Sequence, residues 1–460
     1  MHKGNQKRKY KTRGKATLNM TLVMGICFAL VACDRRDHSQ NLTPSSQVIS
    51  EDSLFNLVQY QTFQYFWEGA EPVSGMARER LHMDSVYQHH DKDIITSGGS
   101  GFGLMAIIVG INRGFISPEE GIGRLKKIVG YLEKADSFHG VWPHWWFGPT
   151  GKVYPFSEHD DGGDLVETSY LVAGLLVARQ YLLKDAPEEA DLVNRINALW
   201  QAVEFDWHTK AGEDVLYWHW SPKHGWKMDF RVEGYNECLI MYVLAASSPT
   251  HPISPDVYHK GWAREGKIAR DTTYYGLETV LDHYPHGNSP VGPLFWAHYS
   301  FLGLDPAKLS DKYADYWRLN KNHVQIHYNH CLENPHKYKG YGEKLWGLTS
   351  SYSIKGYAAH TPDRDLGVIS PTAALSSFPY TPAESMKMLK HLYSTADTLV
   401  GIYGPYDAFS LHDNWYVPRY LAIDQGPIPV MIENHRTGLI WDLFMSAPEI
   451  QQGLKKLGFD

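Results

Sequence analysis

Six times along this chain an apolar segment opens at a glycine, a proline or an acidic residue, near Gly98, Asp161, Glu233, Gly292, Leu366 and Gly426. The intervals are roughly 60 to 75 residues, the length that two helices and two loops occupy at about 1.5 Å of rise per residue. The segments are Gly101–Arg113, Asp164–Leu183, Glu233–Ser247, Pro293–Leu302, Pro371–Ser377 and Pro429–Phe444. Several are apolar on nearly all sides, as helices enclosed by other helices should be. More amphipathic stretches alternate with them: Glu51–Glu68, Pro118–Ala135, Pro187–Phe205, part of Pro255–Leu281, Lys308–Cys331 and Pro382–Val400. In the first of these, Leu54, Leu57 and Val58 recur at helical spacing. Six inner and six outer helices predict an all-α fold, an (α/α)6 toroid formed by one domain over residues 51–460. The strand-like pieces Val215–Trp220 and Trp226–Arg231 are expected as a hairpin over one mouth. Two separate helical domains are the alternative, but no low-complexity linker divides the chain after residue 50.

The first 32 residues read as a signal peptide. Lys3, Lys7, Arg8, Lys9, Lys11, Arg13 and Lys15 form a basic region, and Thr21–Leu30 is an apolar run too short to span a bilayer. The run ends in Leu30-Val31-Ala32-Cys33, the pattern of a lipoprotein cleavage site with Cys33 as the lipidated N-terminus. Several acyl chains there would hold the protein on a membrane, periplasmic or at the cell surface, where a single chain would not. An ordinary cleavage site is the alternative. Residues 33–50 are polar and suit a tether.

Removing those residues takes away seven cations and no anion, so the formal charge moves from −7 to −14. A surface this acidic is a poor match for nucleic acid or for a polyanionic polysaccharide, whose binding draws on Lys and Arg. A neutral substrate fits. Cys238 and Cys331 remain of the four cysteines, in no metal-binding spacing, and one possible bridge cannot hold a core this size. There is no HExxH, P-loop, GxSxG elbow or dinucleotide fingerprint, and His89-His90-Asp91 is a weak metal signal. No metal and no cofactor are expected.

Carboxylates carry the chemistry. Asp160-Asp161-Gly162-Gly163-Asp164-Leu165-Val166-Glu167 places four of them where a loop becomes an apolar helix. Asp164 followed three residues on by Glu167 is also a capping pattern, which leaves Asp160 and Asp161 unexplained. Crowded carboxylates raise one another's pKa, and a raised pKa keeps an acid protonated near neutrality. In Glu233-Gly234-Tyr235-Asn236-Glu237 a helix would put both glutamates on one face, with Glu237 partly buried as a general acid. The competing reading is a glutamate satisfied by Arg231. Asp407 and Asp424 are candidates for a base that orients water, with Gln425 beside the second. Glu433 and Arg436 have the spacing of a structural ion pair, although Arg436 is also a candidate for substrate contact. The chain holds 15 Trp and 29 Tyr. Trp142, Trp145 and Trp146 are bunched around Pro143 and His144, Trp415 stands beside Tyr416, and Tyr235 follows Gly234, and such loop rings can stack on the C–H faces of sugars.

GFGLMAIIVGINRG (Gly101–Gly114), GVWPHWW (Gly140–Trp146), DDGGDLVETSYL (Asp160–Leu171), EGYNECLIMYVLAASSPTH (Glu233–His251), GPLFWAHYSFLGLDP (Gly292–Pro306) and AIDQGPIPVMIENHRTGLIW (Ala422–Trp441) are collinear and specific. On them the chain from about residue 50 onward resembles the glucoamylase-like lipoproteins of Bacteroidota, in glycoside hydrolase family 144, the β-1,2-glucanases. The resemblance implies an (α/α)6 barrel and hydrolysis of β-1,2-glucan with inversion, whether endo-acting or releasing sophorose. It points to Asp160, Asp164, Glu167, Glu237 and Asp424 as the acidic cleft residues and leaves acid and base unassigned, since the proton can pass through a substrate hydroxyl or water. On the residues' own reading Glu237 is expected as acid and Asp424 as base by way of water. Asp161, Glu233 and Asp407 join the aromatics as expected substrate contacts, and a monomer is expected. Other readings are a non-catalytic glycan-binding lipoprotein, a hydrolase of another neutral glucan, and a lyase, which would prefer uronates that this charge repels.

Overall fold

The computed structural model describes residues 50–87, 91–283, 290–395 and 398–460. The expected signal peptide, Cys33, nearly all of the tether, and His89 and His90 lie outside the described residues. Thirteen α-helices appear among those described. They are α1 (Glu51–Trp67), α2 (Ser97–Asn112), α3 (Pro118–Leu132), α4 (Leu165–Asp185), α5 (Ala190–Gln201), α6 (Leu239–Ser247) and α7 (Tyr316–Glu333), then α8 (Pro371–Leu375), α9 (Pro382–Thr395), α10 (Ala422–Gln425), α11 (Pro427–Thr437), α12 (Leu439–Met445) and α13 (Pro448–Leu457). Small antiparallel strand pairs and one three-stranded sheet sit in the connections.

Helices α2 and α4 form the centre of the core, each buried along almost its whole length. They meet at backbone distance because glycines face each other. A Cβ on Gly101 would lie 2.1 Å from the Tyr170 carbonyl, and one on Gly174 would lie 2.2 Å from that of Gly101. From this pair the packing runs in a closed circuit: α4 against α6, α6 and α11 against the 3-10 turn Ser300–Leu302, α8 against α11, and α11 back against α2. Amphipathic α1, α3 and α5 cover the outside of the first part of the circuit. Helix α3 shows the local logic of the outer elements. Ser117 and Glu120 form a reciprocal capping box before Pro118, and Ile122, Leu125, Ile128, Val129 and Leu132 make the buried stripe.

Three expected helices take other forms. Pro255–Leu281 contains a π-helical turn (Val257–Trp262) and then a β-hairpin, Ala269–Tyr274 paired with Leu277–Leu281. The β-branched Thr272, Thr273, Thr279 and Val280 favour strand, and Tyr275 and Gly276 take the two positive φ values of a tight hairpin turn. Pro293–Leu302 is two 3-10 turns, Leu294–Ala297 and Ser300–Leu302. Glu233–Glu237 is irregular, with Gly234 at φ +74°, so the two glutamates do not share a helical face. The hairpin expected at 215–231 is present in reduced form, bridged between Tyr217 and Arg231. Cys238 and Cys331 are buried and unpaired.

Candidate active site

The acidic segment 160–167 is built by pairing. Gly163 and Asp164 pair with Trp220 and His219, which brings the imidazole of His219 over the aspartates. A side chain at Gly162 would collide with the Trp220 carbonyl at 2.2 Å, so this approach requires glycine. Asp164 caps α4 by accepting the Glu167 N–H at 2.9 Å. Its other oxygen accepts from Nδ1 of His144 at 2.8 Å, so the capping residue also orients an imidazole. Nε2 of His219 lies 3.2 Å from Asp160 and 3.5 Å from Asp164. His144 is held by its own backbone. Its carbonyl accepts the Ser97 N–H at the start of α2, where the Ser97 hydroxyl also donates to Pro143 O.

Burial alone would lower the His144 and His219 pKa values. The surrounding carboxylates reverse this, raising His144 to about 10 and His219 to about 9. Burial pushes Asp164 upward, but its bonds to the two imidazoles hold it well below the ordinary carboxylate range. Glu167 accepts the Gly98 N–H (2.8 Å) and the Thr96 hydroxyl (3.3 Å) at the N-terminus of α2, a favourable end for an anion. Burial nevertheless raises its pKa against the pull of His144. His144, Asp160 and Asp164 each bring one ligand atom within 4.8 Å of the others, a grouping able in shape to hold a cation. An ion there would have to displace the proton that His144 gives to Asp164, and three carboxylates stabilise that proton.

Opposite stands a second group without a cation of its own. Asp407 accepts the Tyr352 N–H at 2.8 Å, and its backbone is fixed by Arg419 and by the Ser370 hydroxyl. Asp424 lies in α10, with its carbonyl held by Thr372. Neither Asp424 carboxylate oxygen, nor Oδ1 of Asp407, meets a hydrogen-bond donor among the described residues. Burial raises Asp407 to about 6, and burial plus the Asp407 charge raises Asp424 further. The pair therefore holds one proton, favoured on Asp424. Glu79, whose carbonyl accepts the Ala422 N–H, adds to the negative field and is itself raised by burial despite its contact with Arg80.

Between the groups lies a cavity of about 350 Å3 lined by Glu79, Arg80, His144, Glu167 and Glu237 among aromatic rings: Trp145, Phe156, Tyr170, Trp218, Phe295, Tyr299, Tyr352 and Tyr357. Glu237 is only partly buried and opens into it. Its carbonyl is gripped by the Tyr170 and Ser300 hydroxyls, which fixes the residue without engaging the carboxyl. Burial raises Glu237 to about 7, helped by Glu167 and Asp164. The buried Tyr299 hydroxyl is within the electrostatic reach of Asp424, Glu167 and Glu237 at once, so the carboxyls from distant segments converge at one end of the molecule. A larger depression of about 640 Å3 lies at the other ends of α2, α4 and α11, away from them.

Several expected contacts lie elsewhere. Trp142 and Trp146 are core residues, and Trp146 donates to Asp136 O; their loop faces the cavity through Trp145. Tyr235 is fully buried, bonded to Asn320 and to Trp296 O. Gln425 is used up by the Tyr403 and Pro405 carbonyls. Arg436 binds Asp52, Asn56 and Gln59 at the remote end of α11, while Glu433 pairs with Arg113 instead. Asp161 is tied to Lys223 and Ser221, and Glu233 to Arg231. Trp415 lines an adjoining cavity. The sequence reading passed over Glu79, Arg80, His144 and His219. The two histidines were visible inside Trp-rich loops, at Trp142-Pro-His144-Trp145 and Trp218-His219-Trp220.

The chain is 60% identical to an endo-β-1,2-glucanase from Chitinophaga pinensis solved with sophorotriose and glucose, covering 89% of this chain and 99% of that one, with a TM-score of 0.88. It belongs to the glucoamylase-like β-1,2-glucanases of glycoside hydrolase family 144. A β-1,2-glucanase structure from Parabacteroides distasonis is 44% identical over 89% of this chain and 60% of that one, with a TM-score of 0.83. A curated relative from the same organism, an exo β-1,2-glucooligosaccharide sophorohydrolase acting at the non-reducing end, is 43% identical over 93% of this chain. This family 144 chain spans 60% of that relative's length. The family model described as "Putative glucoamylase" matches residues 229–448.

Proposed function

We propose that the protein hydrolyses β-1,2-glucan in the aromatic cavity, with Glu237 as general acid and Asp424, beside Asp407, as the base that takes a proton from water. The carrying observation is the contrast between an accessible carboxyl raised to about 7 and a buried carboxyl pair that lies behind Tyr299 and Tyr357 in the wall of the same cavity. Glu237 keeps its proton near neutrality and can give it to a leaving oxygen. Asp424 is the acceptor in the state where the proton shared by the pair rests on Asp407. Arg80 is paired with Glu79 and Asp91, and His144 is neutralised by its aspartates, so the cavity suits a neutral sugar. The substrates of the family 144 relatives support the linkage. The packing circuit of inner segments supports an (α/α)6 toroid, with this cavity at one end of its bore. Inversion follows from water acting between base and anomeric carbon, which needs carboxyls about 6.5–9.5 Å apart or more widely separated with a relay.

Incubation with linear β-1,2-glucan, starch and alginate, followed by separation of products, tests the reading. Oligosaccharides are expected from the first alone. A non-catalytic binder would release none, and release from starch would move the enzyme to another glucan. NMR in the first minutes should show the α-anomer, and a β-configured first product would exclude inversion. On the sequence pattern ending at Cys33, the protein is a lipoprotein held on a membrane. Cys33→Ser should shift it from the membrane fraction to the soluble one, and unchanged partition would remove the anchor.

A further inference from the structure

We propose that His144, Asp160, Asp164 and His219 form a binding site for a divalent transition-metal ion, zinc above the others, and that an ion held there stops turnover. Three of the four, His144, Asp160 and Asp164, each offer a ligand atom within 4.8 Å of the other two. The fourth, His219, brings Nε2 to 3.2 Å from Oδ2 of Asp160 and 3.5 Å from Oδ2 of Asp164. Nδ1 of His144 stands 2.8 Å and 4.0 Å from the same oxygens of Asp164 and Asp160. Ligands about 2.0–2.1 Å from a tetrahedral ion stand about 3.3 Å apart. The four separations straddle that value, and small side-chain shifts close them.

The donors suit such an ion and are held in place. Two imidazoles and two carboxylates are ligands of zinc and its first-row neighbours, whereas calcium and magnesium take oxygen. Asp160 is 4% exposed, and its Oδ2 stands between the two rings without a well-aligned hydrogen-bond donor among the described residues. Asp164 is fixed as the cap of α4 and as the strand partner of His219, and Asp160 by its bridge to Ser157. Nε2 of His144 faces Glu167 at 4.0 Å, the kind of carboxylate that commonly backs a metal-bound imidazole. The proton between His144 and Asp164 is what an ion must displace, and a dication meets the same carboxylates with twice that charge. Entry is from the cavity, which His144 and Glu167 line beside Glu237. An ion bound there stands in the wall against which the sugar is held. The binding site stands on this geometry alone, and only the inhibition rests on the glucanase reading.

Calorimetry with Zn2+ alone should show a site that Mg2+ and Ca2+ do not compete for, and Co2+ in its place should give the visible bands of a tetrahedral ion. Asp160→Asn and His219→Gln, each verified as folded by thermal melting, should weaken Zn2+ by about tenfold or more. On β-1,2-glucan, saturating Zn2+ should remove most of the wild-type turnover, and chelation should restore it. No binding, binding that both folded variants leave unchanged, octahedral Co2+, or equal affinity for Mg2+ would overturn the site. Zinc bound at the site with turnover intact would overturn the inhibition. Failure of the metal-free wild type to cleave β-1,2-glucan would instead overturn the glucanase reading, while the binding measurements still decide the site.

Discussion

The Asp160–Glu167 side of the cavity and the Asp407–Asp424 side bury carboxyls to a similar depth, yet their protons are held in opposite ways. Asp164 is almost inaccessible and stays ionised, because His144 and His219 stand against it as cations. Asp424 is equally inaccessible and is driven upward, because its nearest charged neighbours are Asp407 and Glu79. Depth does not set the protonation state; the sign of the nearest buried neighbour does. Glu237 lies between the two regimes, with no cation on its carboxyl and some access to solvent, and its shift falls at a value useful to an acid at neutral pH.

The comparison can be broken at Glu237 first. Glu237→Gln should lower kcat by about 10^3-fold or more while oligosaccharide binding, followed by calorimetry, persists. For the wild type, kcat/KM should fall as pH rises through about 7, since the acid is lost with its proton. On the uncompensated side, Asp424→Asn should cost about 10^2- to 10^3-fold in kcat. Asp407→Asn should cost less and move the acid limb of the pH profile to lower pH, because removing the neighbouring charge lowers the Asp424 pKa. An unmoved limb would show that the two carboxyls do not share a proton.

On the compensated side, His144→Gln makes that group resemble the other. Asp164 then loses a cation, so the melting temperature should drop with a loss of about 3–5 kcal/mol, typical of a broken buried pair. Turnover should fall by about tenfold through disturbance of Glu167.

The smallest effect is in the pH dependence of wild-type stability, and its sign differs between sites. His144 and His219 are raised, so their contribution is complete below about 6.5 and lost as pH rises through about 9 to 10. His208 and His323 are buried neutral at about 4, so their contribution is present above about 6.5 and lost as pH falls toward 4. The raised carboxyls Glu237 and Asp407 complete their own loss by about pH 7, so chemical denaturation at pH 7.5 and 10 isolates the raised histidines and should show stability falling between those two values.

Much of this candidate site was legible because its carboxyls sit at the starts of elements, where glycine, proline and caps punctuate the sequence. Asp164, Glu167, Glu237 and Asp424 were readable on those terms. Glu79 was not, because it acquires its meaning from Ala422, more than three hundred residues away, through one backbone bond. The aromatic assignments went astray for a related reason. Trp142, Trp145 and Trp146 share one motif, but local strand geometry turns Trp145 toward the cavity while its neighbours pack inward. Helical period likewise separated α3 from α4 but did not distinguish the hairpin 269–281 from an outer helix.

The glycine run that opens α2 reverses the usual relation between a residue and what it contributes. A methyl group placed on Gly98 would stand 2.4 Å from Oε2 of Glu167, the oxygen that the Gly98 N–H itself holds. What this position supplies is an empty volume the width of one carboxylate. Libraries built by varying only residues with reactive side chains would never sample it. Under random mutagenesis Gly98→Ala should nevertheless be depleted as strongly as changes to Glu167 itself, in a protein whose fold is otherwise intact.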